Sequence, residues 1–517
     1  MLYLDFFEQG VARYPDREIV REGDRAFTYR EMDRLVTRIA AALIGAGLKP
    51  GSRVAIYAPN HIYGFACQYG ILRAGCVWAP INYRLSPADA REMAAALEVE
   101  WLFFHSLLAA ETGAILAEVA GIKGAVCFDR PADFAPDFDS WVEKAPAIAA
   151  FPARQAADTA ALLCTSGTTG RSKGIVLSNR AFAAMIEGFN KVLQHGEKPV
   201  HLIVAPLSHA AGIYGSCLFT HGATNILLPN ADPGAILKAI EQYRVTTLFL
   251  PPTLIYMLLA HPDARRHDYS SLRSMLYGAA PMAEQKLREA LEIFGPVLVQ
   301  LYGQSEALMM CAFMSAREHV EALSDPKLAK RLFAAGREGP MVRVAIMDDD
   351  GNIQPCGTQG EIVVRGDIVM DGYYNDPDST RQAQLFGWHH TGDIGTKDED
   401  GYIYVVDRKK EMIISGGFNI FPREVEQVVM THPAVQDCAV VGIPDDKWGE
   451  AVMAAVELRP GRSLDSAELL AHCRARLGGL KAPKSVTIIA SLPRNSAGKV
   501  LRREVRAPYW AGRSRQV

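Results

Sequence analysis

Residues 158–174 read DTAALLCTSGTTGRSKG. The apolar run at 160–164 has the length and composition of a buried strand, and a second apolar run follows at Ile175-Val176-Leu177. Between them lie Thr165-Ser166-Gly167-Thr168-Thr169-Gly170 and Arg171-Ser172-Lys173-Gly174. Two strands thus flank a loop of glycines and hydroxyls that closes on a lysine. Glycines let backbone N–H groups turn toward one point, hydroxyls add donors, and Lys173 adds positive charge; together they make a cradle for phosphate. The loop is not the common P-loop, G-x-x-x-x-G-K-[ST]. Ser172 rather than glycine precedes Lys173, and Gly174 stands where a magnesium-binding hydroxyl is required. The plain alternative is a flexible Gly/Ser/Thr hairpin.

Toward the N-terminus, helical and extended patterns alternate. Phe27-Thr28-Tyr29 leads into REMDRLVTRIAAALIGAGL, where Met32, Leu35, Ile39 and Leu43 recur at helical spacing and Gly47 acts as a stop. Residues 54–57 read as a strand, 63–74 as a helix and 77–79 as a strand. Downstream of the loop, the apolar run at 202–206 ends in Leu207-Ser208-His209, followed by the small residues Ala210, Ala211, Gly212, Gly215 and Ser216. Two more strand–helix units occupy 244–300, and the strand at 297–301 runs into Tyr302-Gly303-Gln304-Ser305-Glu306. Such alternation predicts an α/β fold of layered sheets. His209 follows a strand end, where open α/β sheets hold ligands; a structural histidine is the ordinary alternative. The small residues at 210–216 either leave room for a bulky group or let a helix pack closely.

The stretch 315–335 is charged and helix-prone, and no function attaches to it. Strands at 342–347 and 361–364, around turns at Asp350-Gly351 and Cys356-Gly357, predict a small β subdomain. Asp393 sits on a Thr-Gly turn, ordinarily a structural position. The pair His389-His390 faces opposite sides of an extended chain, which argues against a shared metal. After a strand at 402–406 comes DRKKEMIISGG, and a boundary is predicted there: a large N-terminal domain, 1–406, and a small α+β domain, 407–517. The small domain reads as a helix from Pro422, strands at 435–443 and 450–458, a helix at 465–477 and a strand at 485–489. The polar loop PRNSAGK ends on Lys499, by itself an ordinary solvated charge.

At 517 residues and 49% hydrophobic, the chain has material for two or three domains. Lys+Arg 55 against Asp+Glu 58 gives net −3 with no long run of either sign, which argues against nucleic-acid binding and a polybasic membrane anchor. Nine scattered cysteines without a CxxC pair suit reduced thiols rather than zinc or a disulfide framework. The N-terminus MLYLDFFEQGVARYPDRE lacks the pattern of a signal peptide, and no apolar run has membrane-span length, so a cytoplasmic location is expected.

The TSGTTG-x-x-KG loop at 165–174, YGQSE at 302–306, TGD at 391–393, DRKK at 407–410 and PRNSAGK at 493–499 resemble, in order and across nearly the whole chain, the acyl-adenylate-forming enzymes. That superfamily includes acyl-CoA synthetases, luciferases and the adenylation domains of peptide synthetases. The resemblance implies an AMP-forming acyl-CoA synthetase using ATP, Mg2+ and coenzyme A as co-substrate. Its acid would be medium-to-large and hydrophobic (fatty, aryl or alicyclic), with Leu308-Met309-Met310 as adaptable apolar lining.

The resemblance also implies roles. ATP phosphates would lie on Thr165, Ser166, Gly167, Thr168, Thr169 and Gly170, with Lys173 beside them. The adenine would lie against Tyr302 and Gly278-Ala279-Ala280, in a site shared with Gly303, Gln304 and Ser305, where serine keeps the hydroxyl of the usual threonine. Glu306, opposite Thr165, would hold magnesium, since a hard cation must offset triphosphate charge. Asp393 and Arg408 would take the ribose, and His209 would stand beside the substrate carboxylate. Lys410 would be the hinge of a mobile C-terminal domain, and Gly416-Gly417 would line a coenzyme A channel. Lys499 would bridge the two anions of the first transition state; acetylating it would remove that charge.

The alternatives are an acyl-AMP ligase loading a carrier protein, a luciferase-type oxygenase, and a non-catalytic acyl- or nucleotide-binding protein of this fold. Retention of Lys173, Glu306, Asp393 and Lys499 speaks against the last. Amino-acid activation is disfavoured because PLSHAAGIYGS lacks the aspartate that binds a substrate amine. The partners expected are small molecules, with no nucleic acid and no membrane span; the sequence is compatible with a homodimer.

Overall fold

In the computed structural model, which describes residues 1–165, 173–278, 282–494 and 500–511, the run at 160–164 is the middle of the strand Thr159–Thr165. It pairs antiparallel with Lys173–Ser178, and Thr165 stands opposite Lys173. The chain forms two compact units. One comprises Met1–Val344, Val364–His389 and Asp400–Ile403; the other comprises Ala345–Val363, His390–Glu399 and Tyr404–Val517.

The first unit holds two sheets. The seven-stranded sheet runs in the order Gly372–Tyr373, Lys173–Ser178, Thr159–Thr165, Val77–Trp78, Arg53–Tyr57, Trp101–Phe104, Ala125–Cys127. In the larger sheet, Glu18–Glu22, Thr224–Leu227, Val200–Ile203, Thr247–Leu250, Ser274–Tyr277 and Leu298–Gln304 are all parallel neighbours. Their C-terminal ends therefore emerge at one edge. The sheet is anchored by full burial: Leu248, Leu250, Met275 and Leu298 are inaccessible, packed with residues of the helices Pro233–Gln242, Pro252–Ala260 and Glu284–Phe294. Burying one such side chain is worth about 2 kcal/mol, so the strand ends are held far more firmly than the loops that leave them.

Local chemistry explains the helices. Tyr29–Gly45 begins on a capping box in which the Thr28 hydroxyl accepts from Glu31 N and the Glu31 carboxylate accepts from Thr28 N. Its buried stripe is Met32, Val36, Ile39 and Leu43; Val36, one turn after Met32, takes the place the spacing assigned to Leu35, which is half-buried. The segment after Glu306 is a strand, Ala307–Met314, with Leu308 and Met310 buried within it. The helix Ala316–Ser324 follows, again on a capping box, Ser315 with Glu318.

In the second unit, Phe418–Ile420, Ile413–Ser415, Gly449–Leu458 and Val435–Asp445 form an antiparallel sheet, and Ser485–Ile489 joins Gly449–Leu458 in parallel. Residues of the helices Pro422–Val429 and Ser466–Lys481 pack into its core. Among the described residues, no helix is long and apolar enough to cross a membrane.

Candidate active site

The parallel edge of the larger sheet carries the motif residues that follow its strands. Gly278 follows the strand Ser274–Tyr277, and a Cβ there would stand 2.7 Å from the Leu301 carbonyl oxygen, so only glycine lets these two strand ends approach. Leu298–Gln304 and Ala307–Met314 form a tight hairpin in which Gln304 lies opposite both Ala307 and Leu308. At Gly303 a Cβ would meet the Met309 carbonyl carbon at 2.5 Å, which accounts for that glycine. Tyr302, Gln304, Ser305 and Glu306 are thereby presented half-exposed at the turn. Gln304 Nε2 is 3.1 Å from Nε2 of the buried His389.

Glu306 lies beside the 366–374 segment. Met370 N donates to the Glu306 carbonyl (2.8 Å), and the Tyr373 hydroxyl donates to Glu306 Oε1 (3.0 Å). Lys173 reaches the same tyrosine over its ring, its Nζ 5.1 Å from the ring centroid. Its ammonium also donates to the Ser379 hydroxyl and lies 3.4 Å from Asp376 Oδ2. Hydrogen bonds from Ser379, with Lys173 nearby, hold the Asp376 carboxyl below the ordinary range. Lys173 and Glu306, 133 positions apart in the chain by their numbers, are thus brought to one side chain. Sequence reading passed over Tyr373, Asp376 and Ser379. The one local signal is Asp376-Pro377-Asp378-Ser379, the cap and first turn of the helix Pro377–Ala383, with Ser379 N donating to Asp376 (2.9 Å).

His209 caps the helix Ala210–Gly215 and takes a 2.8 Å contact from the Ser208 hydroxyl to Nδ1. It is open to water yet surrounded by protein, as in a recess; that burial, with Arg84 nearby, lowers its pKa and favours the neutral ring. Two of the small residues beside it, Gly212 and Gly215, are required by packing. A Cβ on Gly212 would lie 2.1 Å from the Leu207 carbonyl oxygen, and one on Gly215 would lie 2.8 Å from Asn225 Oδ1.

In the second unit, Asp393 is buried and its Oδ1 is 2.7 Å from Arg408 Nε, so the two residues assigned to the ribose meet directly. Glu361 accepts from Gly392 N (3.0 Å) and lies 3.2 Å from His390 Nδ1, while Lys409 bridges Glu361 and Asp349. The two adjacent histidines thus have different partners. Lys410 is exposed in the short turn Lys409–Glu411. Gly416 and Gly417 form the exposed turn between Ile413–Ser415 and Phe418–Ile420, with φ +60° and +83°. Arg502 was also missed: it is ion-paired with Asp407, Glu411 and Glu426. Burial opposes its charge, but these carboxylates outweigh it and hold the pKa up. Ser166, Gly167, Thr168, Thr169, Gly170, Ala279, Ala280 and Lys499 lie outside the described residues, as does the Thr165 side chain.

Layered α/β sheets with these motifs at their strand ends define an adenylating enzyme, and comparison with known proteins agrees. Residues 7–374 match the AMP-binding enzyme family and residues 424–499 match the AMP-binding enzyme C-terminal domain. The chain is 39% identical over 514 residues to a feruloyl-CoA synthase of Amycolatopsis sp, covering 97% of this chain and 99% of that one. It is 41% identical over 363 residues to a medium/long-chain-fatty-acid–CoA ligase of Mycobacterium tuberculosis, covering 69% and 62% respectively. The solved structure of the amide bond synthetase McbA from Marinactinospora thermotolerans superposes with a TM-score of 0.87 at 31% identity, covering 98% of this chain and 100% of that one. The chain belongs to the AMP-binding enzyme family. Within it, this is an AMP-forming acid–CoA ligase, a class that in general uses ATP, coenzyme A and magnesium.

Proposed function

We propose that the enzyme activates a medium-to-large hydrophobic carboxylic acid, fatty, aryl or alicyclic, to acyl-AMP and then to acyl-CoA. The observation that carries this reading is the convergence of Lys173 and Glu306 on Tyr373. The full-length relative named feruloyl-CoA synthase supports testing an aryl acid first.

In the first step an acid oxygen bonds to the α-phosphorus, the bond to the bridging oxygen breaks, and pyrophosphate leaves. Lys173 binds phosphate oxygens, Tyr302 and Gly278 flank the adenine, Asp393 and Arg408 orient the ribose, and His209 stands by the acid. Lys499 neutralises the two converging anions. Glu306, with Thr165, would hold the magnesium ion, a hard cation suited to oxygen donors; among the described residues no group of three or more His, Cys, Asp or Glu forms a protein cage. Magnesium, when bound, supplies charge neutralisation for the leaving pyrophosphate. The domain 407–517 then turns about Lys410, withdrawing Lys499 and bringing Gly416-Gly417 to the acyl-adenylate. The coenzyme A sulfur bonds to the acyl carbon, the bond to AMP breaks, and the thiol proton is lost.

Pyrophosphate release with magnesium-ATP tests this across acetate, octanoate, palmitate, benzoate, cinnamate, ferulate and an alicyclic acid, with and without coenzyme A. CoA-dependent turnover yielding AMP and one acyl-CoA is expected. Release of about one equivalent regardless of coenzyme A, as a trapped adenylate would give, points to a carrier protein or another acceptor instead. Lys499→Ala should lose about a hundredfold or more in adenylation yet still form thioester from supplied acyl-AMP; equal loss of both steps removes Lys499 from the first.

A further inference from the structure

Tyr373 has no part in the mechanism above, yet it touches both charged groups that mechanism assigns to magnesium-ATP. We propose that Tyr373 is a positioning residue that sets the Glu306 carboxylate and the Lys173 ammonium as one unit. The inference rests on the reading of those two residues as metal- and phosphate-holding groups.

The backbone of Tyr373 is fixed. Gly372–Tyr373 is the edge strand beside Lys173–Ser178, with Tyr373 opposite Ile175, so the ring is rooted two positions along from Lys173. Tyr373 N donates to the Thr380 hydroxyl (2.8 Å), and Tyr374 N donates to the Gly174 carbonyl (2.7 Å). From this anchor the side chain does two things. Its hydroxyl donates to Glu306 Oε1, and a donor on one oxygen fixes the plane of the carboxylate. Its ring face lies within cation–π range of Lys173 Nζ. Asp376 and Ser379 hold the ammonium as well, and both are immobilised at the start of the helix Pro377–Ala383. A lysine has many rotamers of similar energy; a ring and a carboxylate at its end reduce that freedom before the nucleotide arrives.

The two functions of the side chain separate by substitution. Tyr373→Phe keeps the ring and its packing but removes the donor to Glu306; Tyr373→Leu removes both. ATP binding to the full-length protein is measured by calorimetry, once with magnesium titrated in and once in EDTA, with Glu306→Gln as reference. For Tyr373→Phe the magnesium concentration at half-effect should rise about tenfold, the lower end of the worth of one hydrogen bond to a charged group, while binding in EDTA is unchanged. Tyr373→Leu should also weaken ATP binding in EDTA by about threefold, the scale of an exposed cation–π contact. A Tyr373→Phe protein with wild-type magnesium dependence, where Glu306→Gln is shifted, overturns the inference and leaves the role of Glu306 standing. Unshifted Glu306→Gln overturns the reading of Glu306 and this inference with it. Tyr373→Phe decides the matter even where Tyr373→Leu does not fold.

Discussion

At its buried end the strand Leu298–Gln304 carries Gln300, whose amide lies 2.9 Å from the Tyr277 hydroxyl, which is in turn 2.7 Å from His319 Nε2. At its other end it carries Gln304 and the turn to Glu306, where the side chains are half-exposed and meet His389 and Tyr373. The inner polar groups have permanent partners. His319 is fully buried and its Nδ1 donates to the Ser315 carbonyl (2.8 Å), while burial lowers its pKa and keeps the ring neutral. In that low-dielectric setting an unmet polar group is costly. The outer groups are half-exposed, and under the proposed function a ligand takes the place of their partners. One strand thus carries enclosed polar groups at one end and half-exposed ones at the other.

The largest expected effect falls at the outer end. Glu306→Gln should reduce adenylation by about a hundredfold or more while leaving the melting temperature unchanged; a fall in melting temperature with normal turnover would make the outer end structural too. At the inner end, Tyr277→Phe removes a hydroxyl shared by two buried groups and should destabilise the fold by about 1–3 kcal/mol. Urea midpoints measure this, and the KM for ATP should stay put.

A pH experiment sharpens the same contrast. His201, on the strand Val200–Ile203 of the same sheet, is inaccessible and within 3.0 Å of Asn225 Oδ1, and burial lowers its pKa to about 4. The unfolded chain takes up a proton near pH 6.5 that the folded ring refuses until about pH 4. Stability is therefore full above pH 6.5 and falls as pH drops through that window, by about 2 kcal/mol at pH 5. Denaturant midpoints at pH 7.5 and pH 5 should differ accordingly, and His201→Gln should flatten the slope. The smallest effect is expected at Arg337, a half-exposed side chain 2.8 Å from Glu318; Arg337→Ala should cost no more than about 1 kcal/mol in the same assay.

Much of the architecture was legible locally. The strands at 160–164 and 175–177, the helix after Thr28 and the strand–helix units of 244–300 follow from apolar spacing and caps, which act over a few residues. The segment 315–335, without a reading in sequence, has a structural one: Ser315 and His319 close the buried network, and Glu318 accepts from Tyr402 and Arg337. Its partners lie on other elements, so no local pattern marks them. Gly212 and Gly215 were ambiguous for the same reason, since only the neighbouring Leu207 and Asn225 atoms show that packing requires them.

By itself the sequence determined the chemistry on offer: a glycine-hydroxyl loop closing on Lys173, a carboxylate at Glu306 after a strand, an aspartate at Asp393 and a lysine at Lys499. Phosphate and metal recognition use backbone N–H groups and single charges displayed over short spans, so their signals survive in linear order. The tertiary structure alone decided which of these groups meet and through what. Strand pairing sets Gly372–Tyr373 beside Lys173–Ser178, about two hundred positions apart, and so puts one tyrosine between Lys173 and Glu306. Register between distant strands is fixed by the buried faces of whole sheets, a global property that no short stretch contains.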